Sequence, residues 1–203
     1  MNNNIEIEAK VLLTKEQYVK VMKAMHLNIK DQFVQTNYYI DSNQRILKKQ
    51  NIALRVRELK GNYTLTLKTP MAEGLLEKNQ TLSAVEFYDL VHSNKFPEGD
   101  VADFLELLDV EIKDLIILAI LQTKRYEYPY KSASLALDEN SYNGKVDYEL
   151  ELEDSSMALA REKVQEILNG LDIKFEFNHV SKQARAMLSL IHISEPTRPI
   201  SIS

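Results

Sequence analysis

Apolar and charged residues alternate with a period of two in several stretches of this chain, beginning with Ile5-Glu6-Ile7-Glu8-Ala9-Lys10. That period predicts a β-strand with two unlike faces, Ile5, Ile7 and Ala9 on one and Glu6, Glu8 and Lys10 on the other. The same alternation predicts strands over Val34–Asp41, Ile52–Leu59, Tyr63–Thr69, Leu75–Leu82, Ile116–Tyr128, Ser134–Tyr142 and Lys145–Glu153, and a brief one over Ile173–Phe177,. Lys60-Gly61-Asn62 and Asn143-Gly144 each separate two such runs and predict hairpins,. Helical spacing takes over in between. Thr14-Lys15-Glu16-Gln17 has capping-box spacing and predicts a helix over Lys15–Met25, with Tyr18, Met22 and Met25 on its buried face,. Ser83-Ala84-Val85-Glu86 opens a second helix, to about Ser93,. Asp100 is expected to cap a third through Leu108, and Ser155 or Ser156 a fourth to about Leu168, with Asn169-Gly170 as its C-cap,. Val180–Met187 predicts a last short helix bearing Lys182 and Arg185.

These are about eight strands, mostly antiparallel neighbours, more than a small open sheet holds comfortably, and closure into a barrel removes the edges. No linker or repeat marks a second domain, so residues 1–187 are expected to form one,. The tail, residues 188–203, is set apart. Leu188–Arg198 reads Leu-Ser-Leu-Ile-His-Ile-Ser-Glu-Pro-Thr-Arg, the translation of a common transposon-based sequencing adaptor, so it is expected to be an artefactual, disordered tail,.

Composition narrows the classes further. The 203 residues, 27% charged and 44% hydrophobic, describe an ordinary globular protein,. A net charge of -5 argues against a general nucleic-acid surface, and the longest apolar run, Leu115–Leu121, is too short to cross a membrane,. No cysteine is present, which excludes disulfides and thiolate metal sites,. With no signal-peptide pattern at the start, a cytoplasmic location is expected,. The histidines form no HxH or HxxxH pair, which argues against zinc, and no Ser/His or Cys/His constellation suggests nucleophilic catalysis,.

The charged strand faces carry the chemistry. Acids recur as Glu6/Glu8 and Glu149/Glu151/Glu153, cations as Lys10, Arg55/Arg57, Lys68 and Arg125. Two carboxylates on one strand face can share a hard divalent cation, and a lysine beside them can hold a phosphate. Two arrangements satisfy the periodicity equally. Either the charges face solvent and the apolar sides fill the barrel, or the charges line a wet lumen and the helices cover the apolar sides. The second is tolerable only if acids and bases pair and the lumen binds a metal and a polyanion.

The order of these motifs resembles one family. Glu6-x-Glu8-x-Lys10 is similar to the ExExK signature of the CYTH superfamily, the triphosphate tunnel metalloenzymes. Ala53-Leu54-Arg55-Val56-Arg57, Thr66-Leu67-Lys68-Thr69-Pro70, Leu76-Glu77-Lys78-Asn79, Thr123-Lys124-Arg125, Asp147–Glu153 and Ser181-Lys182 follow in the family's order. The resemblance, closest to small bacterial single-domain members, covers about Ile5–Met187. It implies an α+β fold with an eight-stranded antiparallel β-barrel, the triphosphate tunnel, and helices packed outside. It further implies that Glu6, Glu8, Glu149 and Glu151 hold Mg²⁺ or Mn²⁺, with Glu153 and Asp138 as weaker candidates. Lys10, Arg55, Arg57, Lys68, Arg125 and Lys182 are the implied triphosphate ligands. Arg185 matches poorly. Catalysis then rests on Glu6, Glu8, Lys10, Arg55, Arg57 and Lys68.

The expected activity is metal-dependent hydrolysis of an inorganic or simple organic triphosphate. A class IV-type adenylyl cyclase and a non-catalytic polyphosphate-binding module are the alternatives. The expected partner is a triphosphate-containing small molecule, with no nucleic acid and no membrane; a homodimer is compatible with the family.

Overall fold

The computed structural model describes residues 3–70 and 75–191, without the side chains of residues 3–6, 190 and 191. The first alternating stretch folds as two strands, β1 (Asn3–Glu6) and β2 (Glu8–Leu13), interrupted at Ile7. Thr14 and Gln17 make the reciprocal cap that opens α1 (Lys15–Ala24),. There follow β3 (Phe33–Asp41), a short α2 (Ile46–Lys49), β4 (Ala53–Leu59), β5 (Asn62–Pro70) and β6 (Leu75–Leu82). Ser83 and Glu86 cap α3 (Ala84–Ser93), and α4 (Asp100–Leu107) comes next. The chain then runs through β7 (Ile116–Tyr130), β8 (Ala133–Tyr142), β9 (Lys145–Glu153), α5 (Met157–Gly170) and α6 (Lys182–Ile191). At the β8–β9 turn Asn143 and Gly144 both take positive φ, 47° and 74°, the pair a two-residue hairpin with matching twist requires,.

All the strands belong to one antiparallel sheet in the order β1-β6-β5-β4-β3-β7-β8-β9-β2. Its two end strands are neighbours in the chain, with Ile7 alone between them. β1 pairs with β6 and β2 pairs with β9, so one N-terminal stretch serves both margins of the sheet. The Ile7 carbonyl accepts a hydrogen bond from the Asp154 N–H, 3.1 Å away, which fixes the crossing point. Counting that stretch once, the sheet is the expected eight-stranded antiparallel barrel, closed through the chain at Ile7 rather than by a ladder between two edges.

The apolar faces turn outward under the helices. Val11, Leu135, Leu137, Leu150 and Leu152 pack against Tyr18 and Val21 of α1 and Val164, Ile167 and Leu168 of α5. Leu54, Val56, Leu65 and Leu67 pack against Leu47, Leu90, Val101 and Leu105 of α2, α3 and α4. Each fully buried leucine contributes about 1.5–3 kcal/mol, so two helix-covered flanks hold the barrel from outside. One apolar group lies on the inner side: Tyr39, Ala119, Leu121 and Tyr142 meet Ala186 and Met187 of α6, which packs there.

Some local expectations are corrected. Ile173–Phe177 forms no strand; it makes a single bridge, Phe177 to Val11, while Ile173, Phe175 and Phe177 add to the cluster under α1 and α5. Asp100 does not cap α4 but lies in its first turn; Gly99, at φ 124°, is the N-cap, and Gln80 from β6 accepts from the Val101 N–H. Asn169 and Gly170 remain helical and Leu171 is the C-cap of α5. β7 continues through Pro129, and α6 runs past Leu188 to Ile191.

Candidate functional site

Strand parity turns the ionic faces of β2, β4, β5, β7 and β9 to one side, while charges such as Lys124 and Glu139 stay on the other. Glu8 and Lys10 of β2, Arg55 and Arg57 of β4, Lys68 of β5, Arg125 of β7 and Glu151 of β9 line one cavity of about 350 Å³. Lys182, the first residue of α6, lines it as well, beside Gln35, Asn37 and Tyr39 of β3.

The cavity has an acidic pole. Asp138 and Glu149 are paired across β8 and β9, and both are fully buried. One oxygen from each of Asp138, Glu149 and Glu151 falls within 4.8 Å of the others. The Arg125 guanidinium grips Asp138 with two hydrogen bonds of 2.8 and 2.7 Å and donates to Glu151 at 2.6 Å. The Lys182 ammonium sits 2.9 Å from Asp138 and 2.8 Å from Glu149, and also contacts Glu151. Arg185 donates to Asp147 at 2.9 Å and to Glu149 at 3.0 and 2.9 Å. Burial works to raise the Glu151 carboxyl, but Lys182, Arg125 and Lys10 together hold it well below the usual carboxylate range,. Burial works in the opposite sense on Lys182, and Asp138, Glu151 and Glu149 more than reverse it, so its ammonium stays charged. Three converging carboxylates form a set of hard oxygen donors that fits a hard divalent cation,.

The opposite pole is cationic and short of acids. Arg55 and Arg57 have no carboxylate within ion-pair distance among the described residues. The Arg55 Nε is buried with no hydrogen-bond partner, and Arg57 Nε donates only to the Asn37 side-chain oxygen, at 3.2 Å. Burial pushes the Arg57 guanidinium down to about 9, with Arg55 and Arg125 adding like-charge repulsion,. Nearby, Lys68 pairs with Glu77 at 3.2 Å and Lys10 with Glu8 at 2.6 Å. Guanidiniums crowded together, with Glu77 as a nearby but non-contacting acid, suit an anion whose oxygens spread over several ångströms.

The family model of the CYTH domain matches residues 4–182. The chain belongs to the CYTH family. YjbK of Bacillus subtilis, provisionally named a triphosphatase, is 36% identical over 173 residues, 85% of this chain and 90% of YjbK. A Bacillus halodurans crystal structure, provisionally described as an adenylate cyclase, is 39% identical with a TM-score of 0.86, covering 91% of this CYTH chain and 98% of the other. A Hippeastrum protein described as an adenylyl cyclase with a dominant triphosphatase activity shares the fold, at 21% identity and a TM-score of 0.67, over 91% and 96% of the two chains.

The site residues expected of a CYTH chain divide by position. Glu8, Lys10, Arg55, Arg57, Lys68, Arg125, Glu151 and Lys182 line the cavity, and Glu149 lies just behind it in the acidic pole. Glu6 pairs with Leu75 through its backbone, but its side chain lies outside the described residues. Glu8 is held by Lys10 and stands apart from the three-carboxylate set; Asp138, ranked low from sequence, is in it. Glu153 also lines the cavity. Arg185 reaches the acidic pole from one helical turn beyond Lys182. Asn37 and Tyr39 were not singled out, although both share the inward parity of β3; the signal was that parity, read against Arg57 and Arg55 as their cross-strand partners.

Proposed function

We propose that this CYTH protein hydrolyses a triphosphate, inorganic or simple organic, inside the barrel with a divalent metal. The carrying observation is one cavity in which, among the described residues, Arg55 and Arg57 make no ion pair at one pole and the carboxylates Asp138, Glu149 and Glu151 converge at the other. Phosphoryl transfer needs positioning and charge neutralisation more than covalent help. Arg55, Arg57, Lys68 and Lys10 hold the phosphate oxygens and fix the chain in line; Arg125 joins them from the acidic side. Asp138, Glu149 and Glu151 would hold Mg²⁺ or Mn²⁺, with Glu6 and Glu8 as further candidates from the N-terminal strands. When bound there, a divalent ion would supply Lewis-acid neutralisation of the phosphoryl oxygens. A lumen carboxylate orients the attacking water and takes its proton. The departing phosphate stays on the arginines until it leaves the cavity.

The name of YjbK supports the triphosphatase reading, and that of the Bacillus halodurans relative keeps a cyclase in view. One screen separates them. Purified protein with Mg²⁺ or Mn²⁺ is given inorganic triphosphate, ATP and thiamine triphosphate, and both phosphate and cyclic AMP are measured. Phosphate release supports the hydrolase. Cyclic AMP with pyrophosphate replaces it by a cyclase, and saturable triphosphate binding without turnover replaces it by a binding module. Among the described residues no helix is long and apolar enough to cross a membrane. A cytoplasmic setting suits a chain with no cysteine,.

A further inference from the structure

The carboxylate set is already filled by the chain itself. The Lys182 ammonium touches Asp138 Oδ2, Glu149 Oε2 and Glu151 Oε1 at once, which places it among the three oxygens a divalent cation would use. An ammonium and a metal ion seek the same oxygens and repel each other, so they cannot share that space. Lys182 is also the first residue of α6, and its contacts, with those of Arg185 one turn on, pin the start of that helix to β8 and β9. Further along, α6 is held through the apolar contacts of Ala186 and Met187 and by the Asn143 side-chain amide, which donates to the Ala186 carbonyl and the Ser189 hydroxyl. The same lysine lines the cavity that the arginines face, so rotation about its flexible stem carries the ammonium from the acids toward an anion there,.

We infer that Lys182 is a built-in counter-ion, which a divalent metal must displace from Asp138, Glu149 and Glu151 and which an incoming polyphosphate then takes over. Metal and polyanion therefore bind with positive coupling, and the first turn of α6 is the element that moves between them. The coupling is reciprocal: whatever draws Lys182 off the acids opens them to the metal, and the metal offers Lys182 to the anion. Metal alone is penalised, because the competent arrangement is only fractionally populated while the ammonium occupies the acids. This inference rests on the metal-dependent reading above.

The test uses the full chain and Mn²⁺ alone. Calorimetric titration should give a Kd for Mn²⁺ about tenfold lower in Lys182→Met than in the wild type. Lys68→Met removes an equal charge from the same lumen without vacating the carboxylates, and should change the Kd by less than about twofold. Hydrogen exchange supplies a second readout in the wild type. Saturating Mn²⁺ should speed exchange of the Lys182–Met187 amides about tenfold, and inorganic triphosphate added with Mn²⁺ should slow it again. The exchange measurement stands even if Lys182→Met fails to fold. The inference is overturned if Lys182→Met binds Mn²⁺ no tighter than the wild type, if Lys68→Met tightens binding equally, if Mn²⁺ leaves α6 exchange unchanged, or if no Mn²⁺ binds. Phosphate release is scored separately. A chain with these Mn²⁺ effects and no turnover loses the hydrolase reading and keeps this one, and the converse result does the reverse.

Discussion

Replacing Arg55 by methionine should stabilise the protein while crippling it. Arg55 and Arg57 are two residues apart on one strand face, about 7 Å along the strand, where like charges at an effective dielectric near 20 repel by about 2 kcal/mol. The buried Arg55 Nε has no partner among the described residues, and an unsatisfied buried donor costs about 1–3 kcal/mol,. Attraction to Glu77, whose carboxyl is lowered partly by Arg55, offsets some of this. Methionine keeps an unbranched apolar stem and removes the charge, so a net gain of about 1–2 kcal/mol is expected, or a rise in Tm of about 2–8 °C for a chain of this size. Turnover of inorganic triphosphate should fall by about a hundredfold or more, as when one donor to a developing anion is lost. Calorimetric scans of metal-free protein and steady-state phosphate release are the two assays. A fall in Tm would mean that Arg55 has a structural partner in the folded protein. Unchanged turnover would remove it from the anion site, and either result refutes the reasoning.

Other expectations concern the acids and the ends of the chain. Glu8→Gln should cut turnover at least about a hundredfold with the fold intact by circular dichroism; wild-type rates would take Glu8 out of the mechanism. Glu151 is held well below the ordinary carboxylate range, so the stability it contributes is full above its unfolded pKa and drains as pH falls through the lower folded value,. Glu151→Gln should therefore flatten the loss of Tm seen on acidification below about pH 4.5, and an unaltered acid limb would contradict the assignment. Lys10, raised by Glu8, Glu151 and Glu149 against its burial, gives the opposite sign: its contribution is complete below its unfolded value and is lost as pH rises through the higher folded one,. Resequencing the source DNA without the transposon adaptor should replace the codons from about Leu188 onward; recovery of the same codons would make the tail native.

Periodicity made the strands and their hairpins legible, because the side-chain period of a strand is two whatever lies on either side. For the same reason it left the inside and the outside undecided: Leu54, Val56, Leu65 and Leu67 make an equally good lumen on pattern alone, and only the helices packed over them exclude it. The break at Ile7 was not legible, since it arises where one stretch changes partner from β6 to β9, a long-range event. Asp138 was underweighted because a lone aspartate on β8 gives no local signal. Its weight comes from register, which sets it opposite Arg125 on one side and Glu149 on the other. Lys182 looked like a substrate cation from its motif, and the structure adds that its ammonium is held by carboxylates. Ile173–Phe177 has strand alternation, yet its apolar residues complete a cluster and need no ladder.

The central claim is that the inward ionic faces make a working site for a polyphosphate and a metal. Phosphate release from inorganic triphosphate, measured with Mn²⁺ or Mg²⁺ and again after chelation, tests it most directly. The account predicts saturable turnover that chelation abolishes and restored metal recovers. The absence of both phosphate release and saturable triphosphate binding, with every divalent metal tried, would contradict it.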